Sequence, residues 1–190
     1  MEPDIWLVRH GETEWSASGR HTGRTDVPLT DGGRAAAAAL APLLAAHAFA
    51  LVLTSPATRA RDTARLAGFA DAEVDADLRE RDYGDVEGRT TAEMRAQGPE
   101  WSDWSVWTGA VPGGESVDEV AARAARVIAR ADAASGDVLL FGHGHQLRVL
   151  VTVALELDPI AAARFALAPA TLSIVGCEHE LRALRLWNRS

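Results

Sequence analysis

Three short apolar runs, at residues 5–8, 49–53 and 138–141, constrain this chain more than any other feature. Each has the length of a strand and too little alternation to leave one face in water, so each reads as a strand buried on both sides. Helical signals lie between and after them. Thr30 precedes a long Ala- and Leu-rich segment as an N-cap would, and Pro42 is predicted to interrupt that helix. Ser55 and Pro56 have the character of a cap and a first turn, and Ser116-Val117-Asp118-Glu119 has the spacing of a capping box. The helix opened by Ser116 should reach about Ala134, with Gly136 ending it, and another should follow His145 through Leu155. Residues 74–78 form a weaker strand candidate, and residues 171–175 and 181–187 read as two late strands. Such alternation predicts an α/β fold: a mostly parallel central sheet with helices on both faces. A length of 190 residues fits a single domain spanning residues 1–190, in which the polar, irregular stretch 81–115 reads as a lid or cap.

Charge narrows the function. Acidic residues number 27 against 19 basic ones, a formal charge of −8, which excludes a generally basic nucleic-acid binder because that field repels a phosphate backbone. All the basic residues are arginine, so lysine Schiff-base chemistry and a phosphate-loop lysine are excluded as well. Cys177 is the single cysteine and makes neither an internal disulfide nor a cysteine metal site. No stretch approaches the roughly 20 apolar residues of a membrane span, and no secretory pattern precedes Arg9-His10. The expectation is a soluble cytoplasmic protein without membrane or nucleic-acid partners. Oligomeric state is left open, a homodimer included.

The three runs end alike. The first leads into Arg9-His10-Gly11-Glu12, the second is followed within a turn by Arg59 and Arg61, and the third leads into Gly142-His143-Gly144. Ligands of an open parallel sheet bind beyond the carboxyl ends of its strands. If these strands are neighbours, Arg9, His10, Arg59 and His143 converge there, and two guanidinium forks, two imidazoles and nearby helix N-termini suit a phosphate dianion. A neutral imidazole can attack phosphorus, and arginines can hold the equatorial oxygens without a metal or other cofactor. An acid for the leaving oxygen is still needed. Glu80, following the fourth strand candidate, is placed for that task, and a carboxyl beside a dianion should have a raised pKa.

Leu7-Val8-Arg9-His10-Gly11-Glu12-Thr13 strongly resembles the signature of the histidine phosphatase superfamily, in its phosphoglycerate-mutase-like branch. The resemblance continues through Thr22-Gly23, residues 26–30, Ser55-Pro56-Ala57-Thr58-Arg59-Ala60, residues 80–84, Glu87-Gly88, Gly114-Glu115-Ser116 and Gly142-His143-Gly144. It implies that His10 is the phosphorylated nucleophile, that Arg9, Arg59 and His143 complete the phosphate pocket, and that Glu80 donates the proton. Thr22, Gly23, Tyr83 and Gly144 match substrate-lining positions. Ser16 stands where the family usually has a phosphate-contacting asparagine. Glu14-Trp15-Ser16 with Thr22-Gly23 and Thr25-Asp26 is similar to sedoheptulose-bisphosphatase-like and broad-specificity acid phosphatase members. The segment after Gly88 is short and offers only Arg89 and Arg95, whereas the mutases carry a longer basic insertion. The resemblance thus implies hydrolysis of small phosphorylated metabolites, with a phosphoglycerate-type mutase and a non-catalytic phospho-ligand binder as the alternatives.

Other readings are structural. His143-Gly144-His145 with His10 and Glu12 could suggest a metal site, but two arginines would lie beside any cation. Glu12 could support Arg9 by an ion pair. His47 and His179 are expected on the surface, Arg123, Arg126 and Arg130 on one solvated helix face, and the tryptophan triplet in packing. His21 receives no role.

Overall fold

The computed structural model describes residues 2–190. In chain order the elements are β1 (Ile5–Arg9), α1 (Glu14–Ser18), α2 (Asp31–Ala39), α3 (Ala41–Ala45), β2 (Leu51–Thr54) and α4 (Thr58–Leu66). They are followed by β3 (Glu73–Val74), α5 (Thr91–Arg95), α6 (Val117–Asp132), β4 (Val138–Gly142), α7 (Gly144–Ala154), β5 (Leu172–Glu178) and β6 (Leu181–Arg189). The six strands form one sheet in the order β3-β2-β4-β1-β5-β6. β3, β2, β4 and β1 are mutually parallel, whereas β5 and β6 add antiparallel. β4 therefore lies between β1 and β2, and the registers Arg9↔Gly142 and Thr54↔Phe141 end these three strands at one level. The expected α/β architecture holds, with two antiparallel strands closing one side.

The strand period of two divides the apolar residues between two layers. Ile5, Leu7, Leu53 and Leu140 pack with Ala124 and Val127 of α6 and with Leu147 and Leu150 of α7. Val8, Leu139 and Phe141 face the other way, onto Leu40, Leu44 and Ala64. The outer helix layers obey their local signals. Thr30 accepts the Gly33 N–H, and Ser116 and Glu119 close the predicted capping box. Pro42 occupies the first turn of α3, where no N–H is required, so it separates α2 from α3. α2 approaches β1 closely because glycine meets glycine: a Cβ on Gly11 would lie 2.5 Å from the Gly33 oxygen.

The strand expected at 74–78 stops at Val74, because the Asp75 carboxylate accepts the Asp77 N–H and turns the chain into a 3-10 helix at Ala76–Leu78. Ser55 does not cap α4. That helix starts at Thr58, whose N–H donates to Asp26, and Ser55 has another partner described below. Region 81–115 packs Tyr83, Val86, Met94, Trp104 and Val106 into a small cluster of its own. Trp104 is buried within it, whereas Trp107 is half-buried at its edge. Among the described residues, no helix is long and apolar enough to cross a membrane.

Candidate active site

β1 delivers His10 and β4 delivers His143 to the same end of the sheet, where their ring centroids are 5.1 Å apart. The His10 N–H donates to the Gly142 carbonyl, extending the β1–β4 ladder by one residue. On the His10 ring, Nδ1 lies 2.7 Å from the Gly11 carbonyl oxygen. A carbonyl only accepts, so Nδ1 carries the proton and Nε2 keeps its lone pair. Burial first, then the Arg9 and Arg59 cations, hold the imidazole at about 3, and it is neutral near pH 7. Its loop is fixed from below, since the Gly11 N–H donates to Thr63 Oγ1 at 3.0 Å.

Arg9 donates to the Leu167 carbonyl, and Gly144 leaves room for its guanidinium, which an added Cβ would approach to 3.4 Å. Arg59 is buried, with Nη1 donating to Thr25 O and Nη2 to Thr22 O and Gly23 O at 3.0–3.2 Å. Glu87 accepts the N–H groups of Gly23 and Thr25, so residues 22–25 are gripped from both polarities. His143 is fully buried, and its Nε2 lies 2.7 Å from Ser55 Oγ. This is the partner that draws Ser55 away from capping. Arg9 Nε, Arg59 Nε and His143 Nδ1 are buried without a protein partner, which is costly unless a ligand meets them.

Glu80 stands at the N-terminus of α7. Its carboxylate accepts the N–H groups of Arg81, Gln146 and His145 at 2.9, 2.9 and 3.0 Å. Burial pushes the carboxyl up, yet its contacts with His145, the backbone N–H among them, and the nearby His143 carry it well below the usual range. The expected raised pKa is thus not supplied by the protein. A dianion beside the carboxyl would have to supply it.

Glu80 borders two cavities. One, of about 170 Å³, is lined by Arg9, His10, Ser16, His21 and Tyr83, and also by Thr22 and Gly144. The other, of about 450 Å³, is lined by Gly23, Asp26, Ser55, Arg79 and Glu115. Of the residues expected at the site, Arg9, His10, Ser16, Thr22, Gly23, Glu80, Tyr83 and Gly144 border these cavities, whereas Arg59 and His143 lie behind them, bonded to the lining residues Gly23 and Ser55, and several hydroxyls are engaged. Ser16 Oγ donates to the Thr13 carbonyl, Thr22 Oγ1 to the Arg20 carbonyl, and the Tyr83 hydroxyl meets His145.

Some expectations change. Glu12 accepts from Thr30 Oγ1 and does not pair with Arg9. Arg61 is exposed, as is His179, but His47 is half-buried, stacked on Trp6 and bonded to Asp137. Arg123 is buried, not solvated. Among the described residues, no group of three His, Cys, Asp or Glu side chains could hold a metal. Sequence reasoning gave Ser55, Thr63, Glu87 and His145 no role in the phosphate site. Ser55 and Glu87 lay within quoted motifs and His145 within the metal reading, and nothing there told of their partners.

A family model of the histidine phosphatase superfamily (branch 1) matches residues 5–190. The chain belongs to this superfamily. Within it, an acid phosphatase of Mycobacterium tuberculosis is 44% identical over 184 residues, covering 95% of this chain and 89% of that protein. A 2,3-bisphosphoglycerate-dependent phosphoglycerate mutase of Gloeobacter violaceus is 38% identical over 169 residues, covering 82% and 75%. The solved structure of an open reading frame product of Mycobacterium tuberculosis superposes with a TM-score of 0.92 at 41% identity, over 100% of this chain and 99% of that one.

His21 adds a consequence for this histidine phosphatase. It is buried between Tyr83 and Trp104, and burial, then His145, lower it to about 4. Both His10 and His21 have folded values below the ordinary 6.5, so below that pH the unfolded chain binds more protons than the native one. Stability should accordingly fall as pH drops from about 6.5 towards 4, by about 2 kcal/mol for each of the two at pH ~5. Urea unfolding at about pH 7.5 and pH 5 checks this, and equal midpoints would contradict it. His10→Asn should lose less on acidification than the natural protein.

Proposed function

We propose that this protein is a metal-independent phosphomonoesterase of small phosphorylated metabolites, working in the cytoplasm through a phosphohistidine. One observation carries the reading: His10 has its Nδ1 proton anchored on Gly11 and its Nε2 lone pair available, beside the unpartnered nitrogens Arg9 Nε, Arg59 Nε and His143 Nδ1. In the first step Nε2 attacks phosphorus, the N–P bond forms and the P–O bond breaks. The electron pair leaves with the alkoxide, which takes a proton from Glu80. The guanidinium groups and His143 Nδ1–H hold the phosphoryl oxygens, supplying the positive charge that a metal would otherwise bring. The dianion raises the proton affinity of Glu80 on binding, and after proton transfer the carboxylate can take a proton from the water that cleaves the N–P bond. Ser16, Thr22, Gly23, Tyr83 and Gly144 line the substrate path, and region 81–115 serves as its lid.

The relative named an acid phosphatase supports hydrolysis, whereas the one named a mutase supports phosphoryl transfer within a substrate. The short segment after Gly88 favours the hydrolase, because a mutase must keep water from its phosphoenzyme. Mixing the protein with a stoichiometric phosphomonoester and quenching in alkali should recover acid-labile phosphate on the peptide bearing His10, followed by free phosphate. Phosphate release without a protein-bound intermediate overturns the reading. Isomerisation of a phosphoglycerate without phosphate release, once a bisphosphorylated primer is added, establishes the mutase.

A further inference from the structure

His145 has no place in the steps above, yet it touches the group that most needs tuning. It lies in the first turn of α7, and its backbone N–H is one of the three donors to Glu80. Its ring turns back on the same carboxylate, with Nδ1 3.8 Å from Oε2. The ring cannot wander, since Trp107 lies 4.5 Å away at 38° and Tyr83 crosses it nearly at right angles, 5.6 Å away. The Tyr83 oxygen meets Nδ1 at 2.6 Å.

Which atom carries the hydrogen follows from the surroundings. The titratable and charged groups facing the imidazole are Glu80, Tyr83 and Arg81 from the chain after the 3-10 turn, His21 from its loop, and Arg148 from α7. Burial lowers His145, and burial raises Tyr83 well above the phenol range. Among the described residues the buried Tyr83 hydroxyl has no partner besides Nδ1, so its hydrogen is satisfied only by donation to Nδ1, and the neutral ring's own proton then sits on Nε2.

We infer that Tyr83 and His145 are a positioning pair for Glu80, in which the phenol fixes the imidazole tautomer so that the ring withholds a further hydrogen bond from Oε2; this rests on the phosphatase reading above. Without the hydroxyl, Nδ1 is free to carry the proton. A small closure of the 3.8 Å gap would then give Glu80 a fourth donor, on top of three backbone N–H groups. Each donor to the carboxylate stabilises the anion, so less of Glu80 is protonated and available to a leaving oxygen. The hydroxyl therefore keeps one face of Oε2 available to a leaving oxygen.

Tyr83→Phe removes a single oxygen and keeps the ring in its cluster, so it tests the pair directly. With kcat/KM, which reports steps through phosphorylation, the variant should lose about tenfold on an alkyl phosphate such as glycerol phosphate. On 2,4-dinitrophenyl phosphate, whose leaving group needs no proton, the loss should be smaller by about fivefold, any change in substrate binding being common to both esters. In a His145→Leu background the extra loss on the alkyl ester should vanish, the same change then affecting both esters alike. Equal losses on both esters, or an undiminished extra loss on the alkyl ester in the His145→Leu background, overturn the pair while leaving the phosphatase reading intact. Glu80→Gln serves as the reference. If it shows no greater loss on the alkyl ester than on the aryl one, the acid role of Glu80 falls and the pair falls with it.

Discussion

Replacing His10 with asparagine is expected to lower kcat for a phosphomonoester by on the order of 10⁴-fold or more while leaving the fold intact. The side chain sits in a loop already pinned by the Gly142 carbonyl on one side and Thr63 on the other. An asparagine amide can still donate to the Gly11 carbonyl that now takes the Nδ1 proton. What it cannot supply is the lone pair of Nε2. Because the nucleophile and its supporting charges act as a unit, the residual rate would come from Arg9, Arg59 and His143 stabilising direct attack by water. Two measurements separate this from simple damage. Vanadate or inorganic phosphate should still bind, and the midpoint of urea unfolding near neutral pH should stay close to the natural protein's. Activity within about tenfold of the natural protein would remove His10 as the nucleophile, whatever happened to binding.

The parts of this molecule that could be read from its residues are those whose physics is local or periodic. β1, β2 and β4 are legible because a strand covered on both faces has no polar alternation to hide it. The capping box at Ser116 and the break at Pro42 are legible because their partners lie within four residues. Arg9, His10, Arg59 and His143 could be gathered on paper only by supposing that their strands are neighbours. The β4 position between β1 and β2 turns that supposition into geometry.

What stayed hidden depends on partners far along the chain. Ser55-Pro56 looks the same whether its hydroxyl caps a helix or meets a histidine 88 residues away, and the approach of β4 decides for His143. Glu80 was expected to hold its proton readily, because a sequence shows no sign that the first N–H groups of α7 will arrive beside it. Likewise, no pattern tells that the Arg59 fork will close on the carbonyls of residues 22–25, with Glu87 holding the same loop by its N–H groups. The tryptophan triplet divides by position. Trp104 is packing, while Trp107 lies between Arg148 and His145 at the rim of the site.

Arg123 is the sharpest case, and Arg123→Ala should destabilise the protein by about 3–5 kcal/mol, since it leaves a buried network without its cation. Arg123, Arg126 and Arg130 recur at helical spacing, which suggested one solvated face. Arg126 and Arg130 do reach outward, to Asp77 and to Glu73 and Asp75. Arg123, by contrast, is only 3% exposed. Its Nε and Nη2 grip both oxygens of Glu115 at 3.0 Å, and its Nη1 donates to the carbonyls of Asp77 and Arg79 at 2.8 and 2.6 Å. Alanine would leave those two carbonyls without this donor and Glu115 without its counter-charge. For a chain of this size the loss corresponds to a fall in Tm of roughly 10 °C. The consequence reaches the chemistry, because Arg79 O immediately precedes Glu80 and Glu115 also accepts the Asp82 N–H, so the segment carrying the acid is held at both ends. Folded Arg123→Ala should therefore lose more kcat/KM on an alkyl phosphate than on a dinitrophenyl ester. Arg126→Ala should leave both properties nearly unchanged, its pair with Asp77 being exposed. Equal unfolding midpoints for the two variants would show that burial of this guanidinium contributes nothing special, and would return Arg123 to the solvated face on which its spacing first placed it.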